Sequence, residues 1–338
     1  MKTILRTFVG CTAILFGTAC MGAVKYVPEN MKVELSLKVP GNNAVNYKLH
    51  PDKLENSYFD YEWRSDNKLP ITVFHKVEER DSCMRLTVQL TAAQDVYFNY
   101  RQLLSTGYRH DNCQFYMPGF WYRRNLRSPK KAPSFHTSDS WLVREDRLSA
   151  PLTGIFSEKE KRFMTVNRLD DFSMDALATH KEGEIILSGK TSLGFTGFEN
   201  QQGIAMLSFG FPYREAPKSY IRKLTLAPEV EAFQLMKKGE SVLLTWEIME
   251  SGADDFSDFI QHTWEHCYDT YAPKPVENSY SIADMKQVLS CFFVNSLVDN
   301  QPLVYNSGIH LKVSDCERNG QAEVGFIGRV LLNAFNAW

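Results

Sequence analysis

Between Met117 and Phe156 the chain reads MPGFWYRRNLRSPKKAPSFHTSDSWLVREDRLSAPLTGIF, its densest concentration of side chains able to recognise a ligand. Phe120, Trp121, Tyr122 and Trp141 are interleaved with Arg123, Arg124, Arg127, Lys130, Lys131, Arg144 and Arg147. Flat aromatic faces stack on sugar rings, and a guanidinium fork holds a carboxylate through two parallel hydrogen bonds. The pattern points to an anionic oligosaccharide or polysaccharide as partner, with Trp121, Tyr122, Arg123, Arg124, Trp141, Arg144 and Asp146 as the candidate binding residues. A long, Pro-containing connection is usually disordered or functional, and the aromatic content argues against disorder. The plainer alternative has the rings packing under the loop as a satellite core and the cations forming a solvated surface.

Bond-breaking chemistry is harder to find. Glycoside hydrolysis takes two carboxyl groups across the scissile bond, about 5 Å apart for retention and about 6.5–9.5 Å for inversion. Glu145 and Asp146 are adjacent, so on a strand they point to opposite faces, and pairing with Arg144 and Arg147 is their ordinary use. Glu323 is expected in the first turn of a last helix, where a carboxylate is favoured by the helix dipole whatever its function. His262 and His266 stand four apart on an expected helix, a metal-ligand spacing, but HTWEH is not HExxH and no third ligand is evident nearby. No GxGxxG, phosphate-loop or GxSxG element occurs, so neither a cofactor nor a metal is expected. Beyond Cys11 and Cys20, the five cysteines Cys83, Cys113, Cys267, Cys291 and Cys316 are widely spaced. They permit a disulfide such as Cys83–Cys113 or Cys291–Cys316, or simply serve as small buried side chains.

The elements that must carry these residues read as mainly β. Val33–Val39, Ser57–Arg64, Ile71–Val77, Met84–Leu90 and Val96–Arg101 alternate apolar and polar side chains between short turn-like separators. After the central stretch the pattern resumes at Arg162–Arg168, Gly183–Leu187, Leu193–Phe198, Ala205–Phe211, Ser219–Leu226 and Ser241–Ile248. Short strands at this spacing predict a large antiparallel β-sandwich over 24–250. The period then changes. Asp254-Asp255 caps a helix to about Tyr271, with Phe256, Phe259, Ile260, Thr263 and Trp264 on one stripe. A Pro-rich linker completes 251–280. Ser281 with Asp284 resembles a capping box for a second helix, a short β-like pair is expected around 303–313, and a third helix is expected from about Gly320 to the end. That last helix is apolar on several faces, so the short α-helical segment 281–338 reads as the start of a helical domain, expected to be incomplete; the alternative is a natural terminal helix docked on the sandwich.

Residues 1–23 read as a signal peptide, with Lys2 and Arg6 before an apolar core too short to span a bilayer. Cys20 after Thr18-Ala19 also resembles a lipoprotein acceptor, which would add a membrane lipid anchor, so the expected location is periplasmic or extracellular, at the cell surface. Thirty-eight cationic against 40 acidic residues leave a net charge of −2, and no bulk field favours nucleic acid.

With the 117–156 stretch, LSFGFPYREAPKSYIRKLTLAP and GQAEVGFIGRVLLNAFNA resemble a group of secreted Bacteroidetes polysaccharide-utilisation proteins. They look like members of glycoside hydrolase family 154, of the β-glucuronidase type, in which an N-terminal β-sandwich is followed by an (α/α)6 barrel. The resemblance implies that this chain is the N-terminal portion of a secreted glycoside hydrolase acting on uronic-acid-containing polysaccharide. Loop 117–147 would shape the substrate site, and the C-terminal helical domain with the complete catalytic pair would be missing. The other readings are a non-catalytic glycan-binding surface lipoprotein module and a purely structural sandwich.

Overall fold

The computed structural model describes residues 27–80, 83–126, 132–170, 182–222, 224–274 and 280–296, with strand pairs at 305–306, 309–310, 317–318 and 322–323. Alternation becomes strand almost wherever it occurs. The first strands are β1 (Met31–Lys38), β2 (Val45–Lys53), β3 (Tyr61–Arg64), β4 (Ile71–Glu79), β5 (Cys83–Ala92) and β6 (Val96–Arg109). They are followed by β7 (Cys113–Met117), β8 (Trp121–Arg123), β9 (Trp141–Arg144), β10 (Leu152–Ser157) and β11 (Arg162–Arg168). The series ends with β12 (Gly183–Ile186), β13 (Phe195–Gln201), β14 (Ile204–Phe211), β15 (Arg214–Arg222), β16 (Thr225–Met236) and β17 (Ser241–Gly252). In β5 the residues Met84, Leu86, Val88, Leu90 and Ala92 point into the core while Arg85, Thr87, Gln89 and Thr91 lean outward.

Two layers form the sandwich. One runs β2–β1–β6–β14–β13–β9, and the other β2–β3–β4–β5–β17–β11–β10–β7–β8. Strand β2 serves both, its first half pairing β1 and its second half β3. Between the layers lies one continuous core that includes Leu35, Trp63, Leu86, Tyr100, Phe115, Phe198, Phe209 and Trp246. A small flank, β9–β15–β16–β12, carries the single parallel pairing among the described strands, β12 with β16. The expected mainly β architecture is observed.

Three local readings change. The stretch 117–156 is not one long loop, because it contains β8, β9 and β10. Strand β10 escapes a period-2 search because all six of its residues are buried, one face against the core and the other under a helix. The segment Ser219–Leu226 is the turn of the β15–β16 hairpin rather than one strand. The unpredicted strand β2 is mostly exposed and carries Pro51, features that hide a strand in sequence.

Helix α1 (Phe256–Tyr271) lies on the outer face of the second layer. Asp255 caps it by accepting the Ser257 and Asp258 amides at 2.7 and 3.0 Å. Phe256, Phe259, Thr263 and Cys267 form the buried stripe, whereas Trp264 is 42% exposed and donates its indole N–H to the Tyr116 hydroxyl at 2.6 Å. Phe259 sits directly on Gly154: a Cβ there would lie 2.5 Å from its Cζ.

The chain divides into two compact units after Thr270. In the second, α2 (Ile282–Ser296) opens with the expected reciprocal box, the Asp284 amide to Ser281 Oγ at 3.1 Å and the Ser281 amide to Asp284 Oδ2 at 3.0 Å. Tyr305–Asn306 pairs with Ala322–Glu323, and Ile309–His310 with Glu317–Arg318. Glu323 therefore lies on a strand rather than in a first helical turn. The expected signal segment and the remainder of the expected last helix fall outside the described residues.

Candidate functional site

The central stretch splits by face. On β8, Trp121 turns inward and Tyr122 outward, as a strand requires. Arg123 then takes a left-handed backbone at φ +59°, and Asn125 does so at +47°. Asn125 stabilises this bend by accepting the Tyr122 amide at 3.1 Å and donating to the carbonyls of Phe120 and Pro133 at 3.3 and 3.2 Å. Such a conformation costs an arginine free energy and persists only where surrounding contacts impose it.

The bend opens a groove of about 560 Å³ lined by Gln114, Tyr122, Arg123, Arg124, Asn125, Leu126 and Glu158. Tyr122 is 50% exposed, its ring centroid 5.5 Å from that of Tyr116. The Arg123 guanidinium donates from Nη1 to Gln114 Oε1 at 2.7 Å and lies 4.7 Å from the Phe256 ring centre. Gln114 in turn donates to Glu158, the one carboxylate among the described lining residues.

Other candidates are engaged inside the protein. Trp121 and Trp141 are fully buried, with ring centroids 5.7 Å apart, and offer no face to a sugar. Their indole N–H groups donate to the carbonyls of Arg123 and Ser138 at 2.9 and 3.0 Å. Arg144 is buried and grips Asp146 in a fork of 2.6 and 2.7 Å while lying over Tyr213. Both are thereby withdrawn from ligand recognition. Arg124 borders the groove, but its guanidinium is turned to the backbone carbonyls of Cys113 and Asp111 and to the Phe135 ring. Of the seven candidates, Tyr122 and Arg123 face the groove with contact surface to offer. Arg127, Lys130 and Lys131 lie outside the described residues.

The remaining charges of the stretch have distant partners. Glu145, fully buried, accepts from Arg168 Nη1 and from the Gly194 amide, each at 2.7 Å. Burial pushes its carboxyl above the usual range, against the opposing pull of Arg168. Gly194 has no room for a side chain, since a Cβ would lie 2.5 Å from the Gly210 carbonyl oxygen and 3.0 Å from Glu145 Oε1. Arg147 pairs with the buried Glu215. Glu145 thus ties the stretch to β11 and to the start of β13, and Arg147 ties it to the flank through β15, instead of pairing with sequence neighbours.

A separate cluster was not legible as a unit. Cys83 at the start of β5, Glu247 in β17 and His266 in α1 bring a thiol sulfur, a carboxylate oxygen and an imidazole nitrogen within 4.8 Å of one another. Glu247 Oε1 lies 2.7 Å from His266 Nε2 and accepts from Thr270 at 3.1 Å, while its Oε2 is 3.4 Å from Arg85. Burial raises the Glu247 carboxyl, but the hydrogen bonds and charge around it, His266 foremost, bring it down to about 2. Burial and the neighbouring Glu247 push the Cys83 thiol up to about 11. The carboxylate stands between thiol and imidazole, so this is not the order of a cysteine nucleophile activated by a histidine. His262 turns elsewhere, 3.5 Å from Asp258.

Cys83, Cys113, Cys267 and Cys291 are free. The considered Cys83–Cys113 disulfide is not formed, because β17, β11 and β10 separate β5 from β7. Four inter-strand steps amount to about 19 Å, against a Cα separation of about 7 Å at most for a disulfide. Cys316 lies outside the described residues.

No protein-family model matches the chain, and no curated protein does. Among solved structures, a polysaccharide lyase aligns at 12% identity and a TM-score of 0.33, over 69% of this chain and 27% of its own. The Slr1438 protein of Synechocystis aligns at 7% identity and TM-score 0.33, over 64% and 73%. A human-microbiome protein provisionally assigned as a kojibiose phosphorylase aligns at 4% identity and TM-score 0.29, over 75% and 26%. This chain thus spans roughly a quarter of the lyase and of the phosphorylase. At these scores the superpositions carry no argument about family or activity.

Proposed function

We propose that the sandwich binds an anionic, uronate-bearing glycan in the Tyr122–Arg123 groove, as the recognition part of a secreted carbohydrate-active protein. The observation that carries this reading is an exposed aromatic ring beside an arginine whose backbone is held in a costly conformation. The Tyr122 face supplies the apolar platform for a pyranose ring. Arg123 meets the uronate carboxylate with the guanidinium N–H groups that Gln114 does not use. Gln114, whose Nε2 donates once to Glu158, provides its second amide N–H for a sugar hydroxyl at the groove wall.

Glu158 alone cannot serve as both acid and base in hydrolysis. Within the glycoside hydrolase reading, the groove therefore orients substrate and the catalytic carboxylates belong to elements outside the described residues. The same single carboxylate favours a second reading, a glycan-binding module with no chemistry of its own.

Calorimetric titration of the full chain with glucuronate-bearing oligosaccharides tests the proposal. Losing a charge-assisted contact of about 1.5–3 kcal/mol in Arg123→Ala weakens binding roughly ten- to hundredfold, with little effect on a neutral analogue. Losing the ring in Tyr122→Ala costs about 0.5–1.5 kcal/mol, or roughly two- to tenfold, for both ligands. No binding by the folded chain, or binding indifferent to both substitutions, refutes the reading. Product analysis of the same mixtures separates hydrolase from module.

A further inference from the structure

We propose that Cys83, Glu247 and His266 form a binding site for a zinc-like divalent cation, with the fourth position open to water. Three observations carry it. Sulfur, oxygen and nitrogen donors come from β5, β17 and α1 and converge within 4.8 Å, so the tertiary fold assembles the set and no local motif does. Zinc takes thiolate, imidazole and carboxylate donors at about 2.0–2.3 Å in a tetrahedron, which spaces neighbouring ligand atoms by roughly 3.3–3.7 Å. The 2.7 Å contact between Glu247 and His266 has to open by under about 1 Å, and the widest separation to close by a similar amount.

Charge and surroundings are consistent with this. A Cys83 thiolate and a Glu247 carboxylate together neutralise a dication; the thiol proton leaves to solvent, and the proton through which His266 Nε2 bonds Glu247 shifts to Nδ1, freeing the Nε2 lone pair for the ion. Arg85 at Glu247 Oε2 and Thr270 at Oε1 hold the carboxylate in orientation. Cys83 and Glu247 are buried, while the His266 side chain keeps 21% of its surface exposed, leaving a solvent side through which an ion enters and a water completes the shell. With three protein ligands rather than four, the arrangement follows open zinc sites rather than closed structural ones. The groove on β8 takes no part, so the site stands or falls independently of glycan binding.

The test uses the full chain, stripped with chelator and titrated with Co²⁺ and then Zn²⁺. The expected result is one ion per chain, a near-ultraviolet thiolate-to-cobalt charge-transfer band with tetrahedral visible bands, and displacement of both by zinc. Cys83→Ser abolishes the charge-transfer band. His266→Gln, which retains a hydrogen-bonding group for Glu247, weakens binding by at least about a hundredfold. Cys113→Ser and Cys291→Ser leave the spectrum unchanged. Circular dichroism melts verify that each variant folds. No ion at stoichiometric concentration, or a cobalt spectrum that survives in folded Cys83→Ser and His266→Gln, overturns the proposal and leaves the cluster as a hydrogen-bonded clamp between α1 and the sheet.

Discussion

Replacing Trp121 by Ala separates a packing role from a binding role for the most conspicuous ring of the central stretch. Trp121 has no exposed surface, and its ring centroid lies 5.1 Å from Phe198, 5.7 Å from Trp141 and 6.0 Å from Phe135. Truncating a fully buried aromatic removes its transfer free energy and leaves a cavity, about 3–5 kcal/mol together. Losing the indole N–H bond to the Arg123 carbonyl adds about 1 kcal/mol. The sum, about 4–6 kcal/mol, is a large part of the total stability of an ordinary domain, about 5–15 kcal/mol. With a urea slope of about 3 kcal/mol per molar, the unfolding midpoint falls by about 1.3–2 M. Trp121→Phe keeps the ring and loses the bond, so its midpoint falls less than half as far. Tyr122→Ala, next in sequence but facing solvent, stays within about 0.5 kcal/mol of the parent. Far-ultraviolet circular dichroism across urea series of the three variants provides the measurement. If Trp121→Ala unfolds with the parent and instead loses glycan affinity, the burial argument is wrong and the ring belongs to the ligand surface.

His75 supplies a pH signature: it is fully buried, bonded to the Tyr100 hydroxyl at 2.7 Å, and burial lowers its ring from 6.5 to about 3. The unfolded chain takes up this proton first, so the stability present above pH 6.5 is lost as pH falls toward 3, by roughly 2–3 kcal/mol by pH 4.5. Urea midpoints followed from pH 7 to 4 show this slope in the parent and its removal in His75→Gln; parallel curves contradict the assignment. Gly154→Ala drives a methyl into Phe259 and costs about 1–3 kcal/mol, seen as a lowered melting temperature, and an unchanged melt means α1 does not bear on that strand. Arg144→Lys cannot reproduce the two-point grip on Asp146 and destabilises by about 1–3 kcal/mol in the same assay without altering glycan affinity; a stable variant with weakened binding argues that Arg144 meets the ligand.

Much of the fold is written locally. Strands such as β5, with one wet and one dry side, declare themselves by alternation, and the caps of both helices follow from Asp255 and from Ser281 with Asp284. Where that signal is missing, a physical cause is present. Strand β10 is buried on both faces, whereas β2 is exposed except around Tyr47 and Leu49, so each lacks the sustained contrast that a period-2 reading detects. The β15–β16 turn continues the alternation of its strands and reads as one element.

The site was legible in kind and not in placement. Residue types alone marked the 117–156 stretch as rich in rings and cations, and the alternation of β8 separates Trp121 from Tyr122 once the strand is known. Sequence cannot say which layer covers which face. Strand order brings β13 against the central stretch, its Phe198 packing on Trp121, and it delivers Arg168 to Glu145 and Glu215 to Arg147 from far along the chain. The same non-local pairing sets Cys83 beside Glu247, and docking α1 through Phe259 adds His266. Local pattern thus determines which residues form strands and helices, because backbone periodicity is a property of neighbours. Which side chains meet, and hence which are free to bind, is decided by the tertiary pairing of distant strands.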